Sequence, residues 1–91
     1  MTALDRNHRI VRARELAYAA GIPLRDRWGY AASDEDVLTT VRLVQDHSDD
    51  AEAANAIGIA NALGDIQLCD GRDTPLEEEQ ELRLVQALRA L

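Results

Sequence analysis

The sequence predicts an all-α domain, a compact four-helix bundle with short connections that takes in residues 1–91 as one unit. Three observations point there. Apolar residues recur at helical spacing in four stretches. Each stretch opens on an acidic or hydroxyl residue, and glycine or proline punctuates the connections. The alternation expected of a strand occurs once, at Ile66-Gln67-Leu68, with no second strand to pair with it. With no Phe, one Trp and two Tyr, the core must be built mainly from Leu, Ile, Val and Ala. Domains of this size are marginally stable alone, so a homodimer would add useful burial.

The first helix is expected from Leu4 or Asp5 to Ala20, with Asp5 as N-cap and Gly21 just past the end. Ile10, Ala13, Leu16, Ala17 and Ala20 share its broad apolar face, and Val11 and Tyr18 fall elsewhere. Arg6, Arg9, Arg12 and Arg14 crowd the half where the helix dipole disfavours cations, a placement that suits an anionic partner. Residues 21–32 are irregular: Gly21, Pro23 and Gly29 surround Arg25-Asp26-Arg27, and Trp28 and Tyr30 stand where no amphipathic pattern requires them. Structurally, such a loop would use Trp28 to plug one end of the bundle. Functionally, Arg25, Arg27, Trp28 and Tyr30 would anchor a partner, because Trp, Tyr and Arg dominate binding hot spots.

The second helix, 33–47, opens with Ser33 as cap and Asp36 closing a weaker capping box, and buries Val37, Leu38, Val41 and Val44 with Leu43 beside them. The third, 49–64, starts at Ser48-Asp49-Asp50 and stops at Gly64. Its ridge of Ala54, Gly58 and Ala62 marks it as the central helix, with Asn55 and Asn61 at a polar edge. A mid-helix glycine costs about 0.5–1 kcal/mol relative to alanine, so Gly58 implies close approach by another helix backbone. Ile66 and Leu68 should pack on the bundle from an extended link that turns at Asp70-Gly71.

The fourth helix is expected at 75–91, with Thr74 as N-cap, Pro75 in the first turn and Glu77 closing the box. Glu79 and Arg83 are spaced to pair on its wet side. Leu84, Leu88 and Leu91 form one stripe, with Leu76 above and Val85 on its shoulder. Such a helix would be roughly 27 Å long at about 1.5 Å per residue. The stripe therefore has to be covered by the rest of the chain or by a partner, and its three leucines are candidate partner-binding residues.

The net charge of −7 is unevenly spread: residues 1–30 carry +3 and residues 31–91 carry −10. Every basic side chain is Arg. Arginine forks suit carboxylates and phosphates, and a GC-rich genome or salt adaptation would give the same bias.

Glu15 to Ile22 has the small alanine, the glycine four residues later and the aliphatic residue that build the first half of a helix-turn-helix. In that alternative Arg25 and Arg27 meet bases or phosphates, helped by Arg9 and Arg12. Arg27 then stands where an aliphatic residue is usual, and Gly29 interrupts the second helix. Gly29-Tyr30 followed by Ser33-Asp34-Glu35-Asp36-Val37 also resembles the segment after the wing in MerR-type regulators, without the wing and at a different spacing. The net negative charge opposes phosphate contact.

Catalysis, cofactors and metals find little support. His8 and His47 are far apart in the chain, and the acids Asp46, Asp49 and Asp50 near His47 lack the glycine-centred spacing of a calcium loop. A single cysteine, Cys69, excludes an internal disulfide and fits a reducing cytoplasm. No signal peptide or membrane span is expected. The expected function is that of a small non-catalytic interaction or regulatory protein. It would bind another protein through the apolar helix face and the aromatic/Arg loop. A DNA-binding regulator is the alternative, and an acidic inhibitor or nucleic-acid mimic that meets a basic protein is a further one.

Overall fold

Local signals set most of the helix boundaries. The computed structural model describes residues 3–69 and 74–91 and holds four helices: α1 (Ala3–Ala19), α2 (Asp34–Asp46), α3 (Asp50–Leu63) and α4 (Glu78–Leu88). The described part of α1 begins at Ala3, so Asp5 lies inside the helix instead of capping it. Its other end closes when the Gly21 N–H donates to Tyr18 O and the Ile22 N–H to Ala17 O, with Gly21 at φ +82°. Ser33 Oγ accepts from the Asp36 N–H at 3.2 Å and caps α2. The Asp36 carboxylate does not complete a capping box. It reaches across to accept from the Gln67 N–H at 3.0 Å, fixing the link that leaves α3. Asp49 caps α3 through the Ala51 N–H, and Gly64 ends it.

The fourth helix starts later than its sequence implies. Thr74-Pro75-Leu76 is not helical; Pro75 pairs with Cys69 in an isolated antiparallel bridge, and Leu76 is buried. Glu77 is the N-cap in place of Thr74, its N–H donating to Gln80 Oε1 at 2.8 Å. The reason is tertiary: seating Leu76 in the core holds this segment extended against the α3–α4 link. At 11 residues, α4 is roughly 16 Å long at about 1.5 Å per residue. The body it must fit measures 34 × 29 × 24 Å, so the chain can cover the stripe as far as Leu88.

It does so. Leu84 and Leu88 are buried in one core with Ile10, Ala13 and Ala17 of α1, Val37, Val41 and Val44 of α2, and Ala53, Ile57 and Ala60 of α3. Neither leucine is left on the surface for a partner, which corrects that assignment; only Leu91 stays exposed. Ile22, Leu24, Ile66, Leu68 and Leu76 close the core from the connections. The largest helix pairing is α3 on α4, but α4 meets all three other helices whereas α3 meets only α2 and α4, and Ala62 of the expected ridge is exposed, so α3 is not the central helix. Gly58, however, meets a side chain and not a backbone: a Cβ built there would lie 2.8 Å from Glu81 Oε2.

Among the described residues there is no strand, and the link after α3 is nonetheless paired. Single antiparallel bridges join Ala31 to Arg25, Arg25 to Cys69 and Cys69 to Pro75. The Asn61 amide also serves both backbone groups of Leu68, donating to its carbonyl at 2.8 Å and accepting from its N–H at 3.1 Å. A buried extended segment needs such partners for its polar backbone. The turn expected at Asp70-Gly71 lies outside the described residues.

Residues 22–33 form no helix. The second, recognition helix of a helix-turn-helix is therefore absent. Gly21 and Ile22 close α1 as in such a motif, but Arg25 and Ala31 pair across a turn where that helix would run.

Removing Leu84 should open a cavity in the core. Leu84→Ala is expected to lower stability by about 2–5 kcal/mol, and Leu91→Ala by no more than about 0.5 kcal/mol. Urea unfolding of the two variants checks this. Equal, small effects would mean the stripe is not the core.

Candidate functional site

The irregular stretch after α1 folds into a tied turn. Buried Ile22, Leu24 and Ala32 anchor its base, where the Ala32 N–H donates to Leu24 O at 2.9 Å and the Asp26 N–H to Tyr30 O at 2.8 Å. One Asp26 carboxylate oxygen accepts from two backbone amides, Trp28 at 2.9 Å and Tyr30 at 3.0 Å. The Gly29 N–H returns to Asp26 O, and Gly29 takes φ +84°, a left-handed conformation that side chains resist. From the flank, Arg25 Nη1 donates to Gly29 O at 2.8 Å. Below, the Cys69 N–H donates to Arg25 O at 2.8 Å, so the buried α3–α4 link holds the turn from beneath.

This scaffold displays its aromatic residues. Trp28 is 69% exposed and Tyr30 73% exposed. Trp28 therefore does not plug the bundle; Ile22, Leu24 and Leu68 are among the residues of the connections that join the core. The Arg27 guanidinium carbon stands 5.7 Å from the Trp28 ring centroid, an exposed cation–π pair of about 0.5–1 kcal/mol.

Two further residues extend the surface. Tyr18, itself exposed, borders a shallow hollow of about 160 Å³ with Pro23, Arg25 and Ala31. Leu63, also exposed, borders another of about 290 Å³ with Arg27 and Cys69. The only hint of Tyr18 in the sequence was its place off the apolar stripe of α1. Leu63 looked like the last turn of a buried helix, so its exposure gave no signal at all.

The other candidates lie apart. Arg9 and Arg12 are in α1, where Arg12 pairs with Glu15 at 3.3 Å, and no recognition helix brings Arg25 and Arg27 to join them. His47 Nδ1 bonds the Leu43 carbonyl at 2.8 Å at the end of α2. Cys69 is buried.

Sequence reasoning missed a second feature. Glu81 is only 8% exposed, on the α4 face that meets Gly58. It lies in a groove of about 680 Å³ between α3 and α4, with Ala51, Ala54, Asn55 and Leu82 and with Glu78 and Glu79. Burial, reinforced by the charge of Glu78, pushes its carboxyl above the usual carboxylate range.

The chain matches no protein-family model, no curated protein and no solved structure. Function must therefore be read from the surface itself.

Two variants test these geometries. Asp26→Ala removes the acceptor for two amides and is expected to cost about 1–2 kcal/mol, measured by urea unfolding; an unchanged midpoint would mean the turn is not held by Asp26. The raised Glu81 pKa means the folded chain holds this proton more tightly than the unfolded chain. Its contribution to stability therefore falls as pH rises from the usual carboxylate value through the raised one. Glu81→Gln should accordingly be more stable than the parent at pH 7, with the difference shrinking at acid pH. Thermal melts across pH check this, and a gap that widens on acidification would contradict it.

Proposed function

We propose that this protein is a non-catalytic binding module that docks a protein partner on the Arg25–Tyr30 turn. One observation carries the reading: a Trp and a Tyr stand in water on a turn whose backbone is already fixed by Asp26. Large aromatic residues are normally at least partly buried. When exposed on an ordered turn they offer apolar area that loses little conformational entropy on binding. Arg27 over Trp28 adds a positive charge for steering, and Tyr18 and Leu63 widen the contact. The apolar face of α4 has no part in this reading, since Leu84 and Leu88 belong to the core.

The mechanism is burial of aromatic faces at the centre of an interface with a polar rim, without covalent chemistry. Duplex DNA is the less favoured partner, because Arg25 is bound to Gly29 O in the turn and no helix presents it to a groove.

Trp28→Ala should change folding stability by no more than about 0.5 kcal/mol, as exposed substitutions do. It should weaken partner binding roughly 30-fold or more, the loss of a hot spot worth about 2 kcal/mol. Affinity purification from the native cell, with nuclease treatment and quantitative mass spectrometry, compares parent and variant. A nuclease-resistant protein recovered by the parent and lost by the variant supports the reading. Equal recovery, or recovery that disappears with nuclease, would overturn it.

A further inference from the structure

We infer that the groove between α3 and α4 is a second binding site, one that receives a lysine or arginine side chain from a basic protein segment. It does not depend on the aromatic turn.

The first support is an unanswered carboxylate. Three of the helices open on acidic clusters, and the chain's own arginines neutralise two of them. Arg6 and Arg14 pair with Glu35 and Asp34 at the start of α2, and Arg89 pairs with Asp50 at the start of α3. Among the described residues no hydrogen bond or ion pair reaches the side chains of Glu78, Glu79 or Glu81. Arg83, spaced to answer Glu79, lies instead beside Gly21, with Nη1 3.9 Å from the position of a Cβ there. Glu81 is more than nine-tenths buried, yet its carboxylate has no cation from this chain. Its oxygens still open onto the groove, since no fully buried side-chain oxygen among the described residues lacks a partner. A carboxylate that has lost most of its water and meets no counter-charge gains from an incoming cation that can reach it there.

The second support is shape. Ala51, Ala54 and Gly58 give the α3 wall almost no side-chain bulk, and Leu82 lines the facing side. Such walls accept an aliphatic stem, while the carboxylates take the charged end; long basic side chains divide their polarity in the same way. Gly58 makes room for the Glu81 carboxylate against the α3 wall, since any Cβ there would lie 2.8 and 3.2 Å from its oxygens.

Third, the ligand fits the field around it. The chain carries a net −7, and Glu78, Glu79 and Glu81 line the groove itself, so a basic segment is attracted there. A metal ion is a poorer fit, because among the described residues no three acidic, histidine or cysteine side chains converge to hold one. The chain's own Arg-rich helix is a poorer occupant too, since Arg6, Arg12 and Arg14 already have carboxylate partners.

The test is an amide chemical-shift titration of the full chain with an acetylated, amidated penta-lysine or penta-arginine peptide at fixed ionic strength. Spermidine serves as the free-amine comparison. Saturable shifts confined to residues 54–58 and 78–82 are expected, with a midpoint well below that for spermidine. Glu81→Gln should weaken binding about tenfold or more. Gly58→Ala, which keeps the charge but displaces the Glu81 carboxylate from its place against α3, should also weaken it, and Trp28→Ala should leave it unchanged. Retained shift dispersion in each variant shows that the fold persists. Shifts spread equally over residues 34–36 and 49–52, unchanged binding by Glu81→Gln, or spermidine equal to the peptides would overturn the assignment.

Discussion

How closely α4 can lie on α3 governs most of this molecule. The core has few aromatic groups to fill space, so it must be filled by helices packed at short range. Ala54 and Gly58 give α3 little bulk where it faces α4, and Ala53, Ile57 and Ala60 share one core with Leu84, Val85 and Leu88. Each large aliphatic residue buried there contributes about 1.5–3 kcal/mol. The same closeness draws in residues from outside the helices, because Leu68 and Leu76 must reach the core to complete it. Seating them brings Cys69 beside Arg25, and that pairing supports the aromatic turn from beneath. Core packing thus positions the surface on which the proposed function rests.

Electrostatics plays a subordinate but directional part. The Arg6–Glu35 and Arg14–Asp34 pairs are largely exposed, and such pairs contribute about 0–1 kcal/mol each. Arg89 does more. It leaves its own helix to pair with Asp50 and to donate to the Val44 and His47 carbonyls. One guanidinium therefore satisfies the end of α2 and the start of α3, where unpaired backbone groups would otherwise face each other. Among the described residues the beginning of α4 has no comparable clasp, and Glu81, the most buried acid of those described, lies there.

Much of the fold was legible in the residues. Val37, Val41 and Val44, the Ser33 and Asp49 caps, and the stops at Gly21 and Gly64 are local signals, and local geometry obeys them. What could not be read depended on partners distant in sequence. Thr74-Pro75-Leu76-Glu77 spells a helix start, but burial of Leu76 and the bridge from Pro75 to Cys69 move that start to Glu77. Asp36 looked like a local cap and serves Gln67, 31 residues away. The candidate site divides in the same way. Arg27, Trp28 and Tyr30 stood out because no periodicity required them, and they are exposed. Leu84 and Leu88 fit a core and an interface equally well, and the shortness of α4 decided for the core. Glu81 lay hidden among the acids of a helix start, since nothing in its neighbours reveals that it faces a glycine on another helix.

One chain covers Leu84 and Leu88 of its own leucine stripe, and the aromatic turn is the surface proposed for a partner. Native-state amide hydrogen exchange at several protein concentrations tests it most directly. Amides of residues 84–88 should be among the most protected in the chain, and their protection should not change with dilution. Protection that grows with concentration, or fast exchange throughout α4 in dilute solution, would mean that the stripe is covered by another molecule or not at all, and would contradict the account.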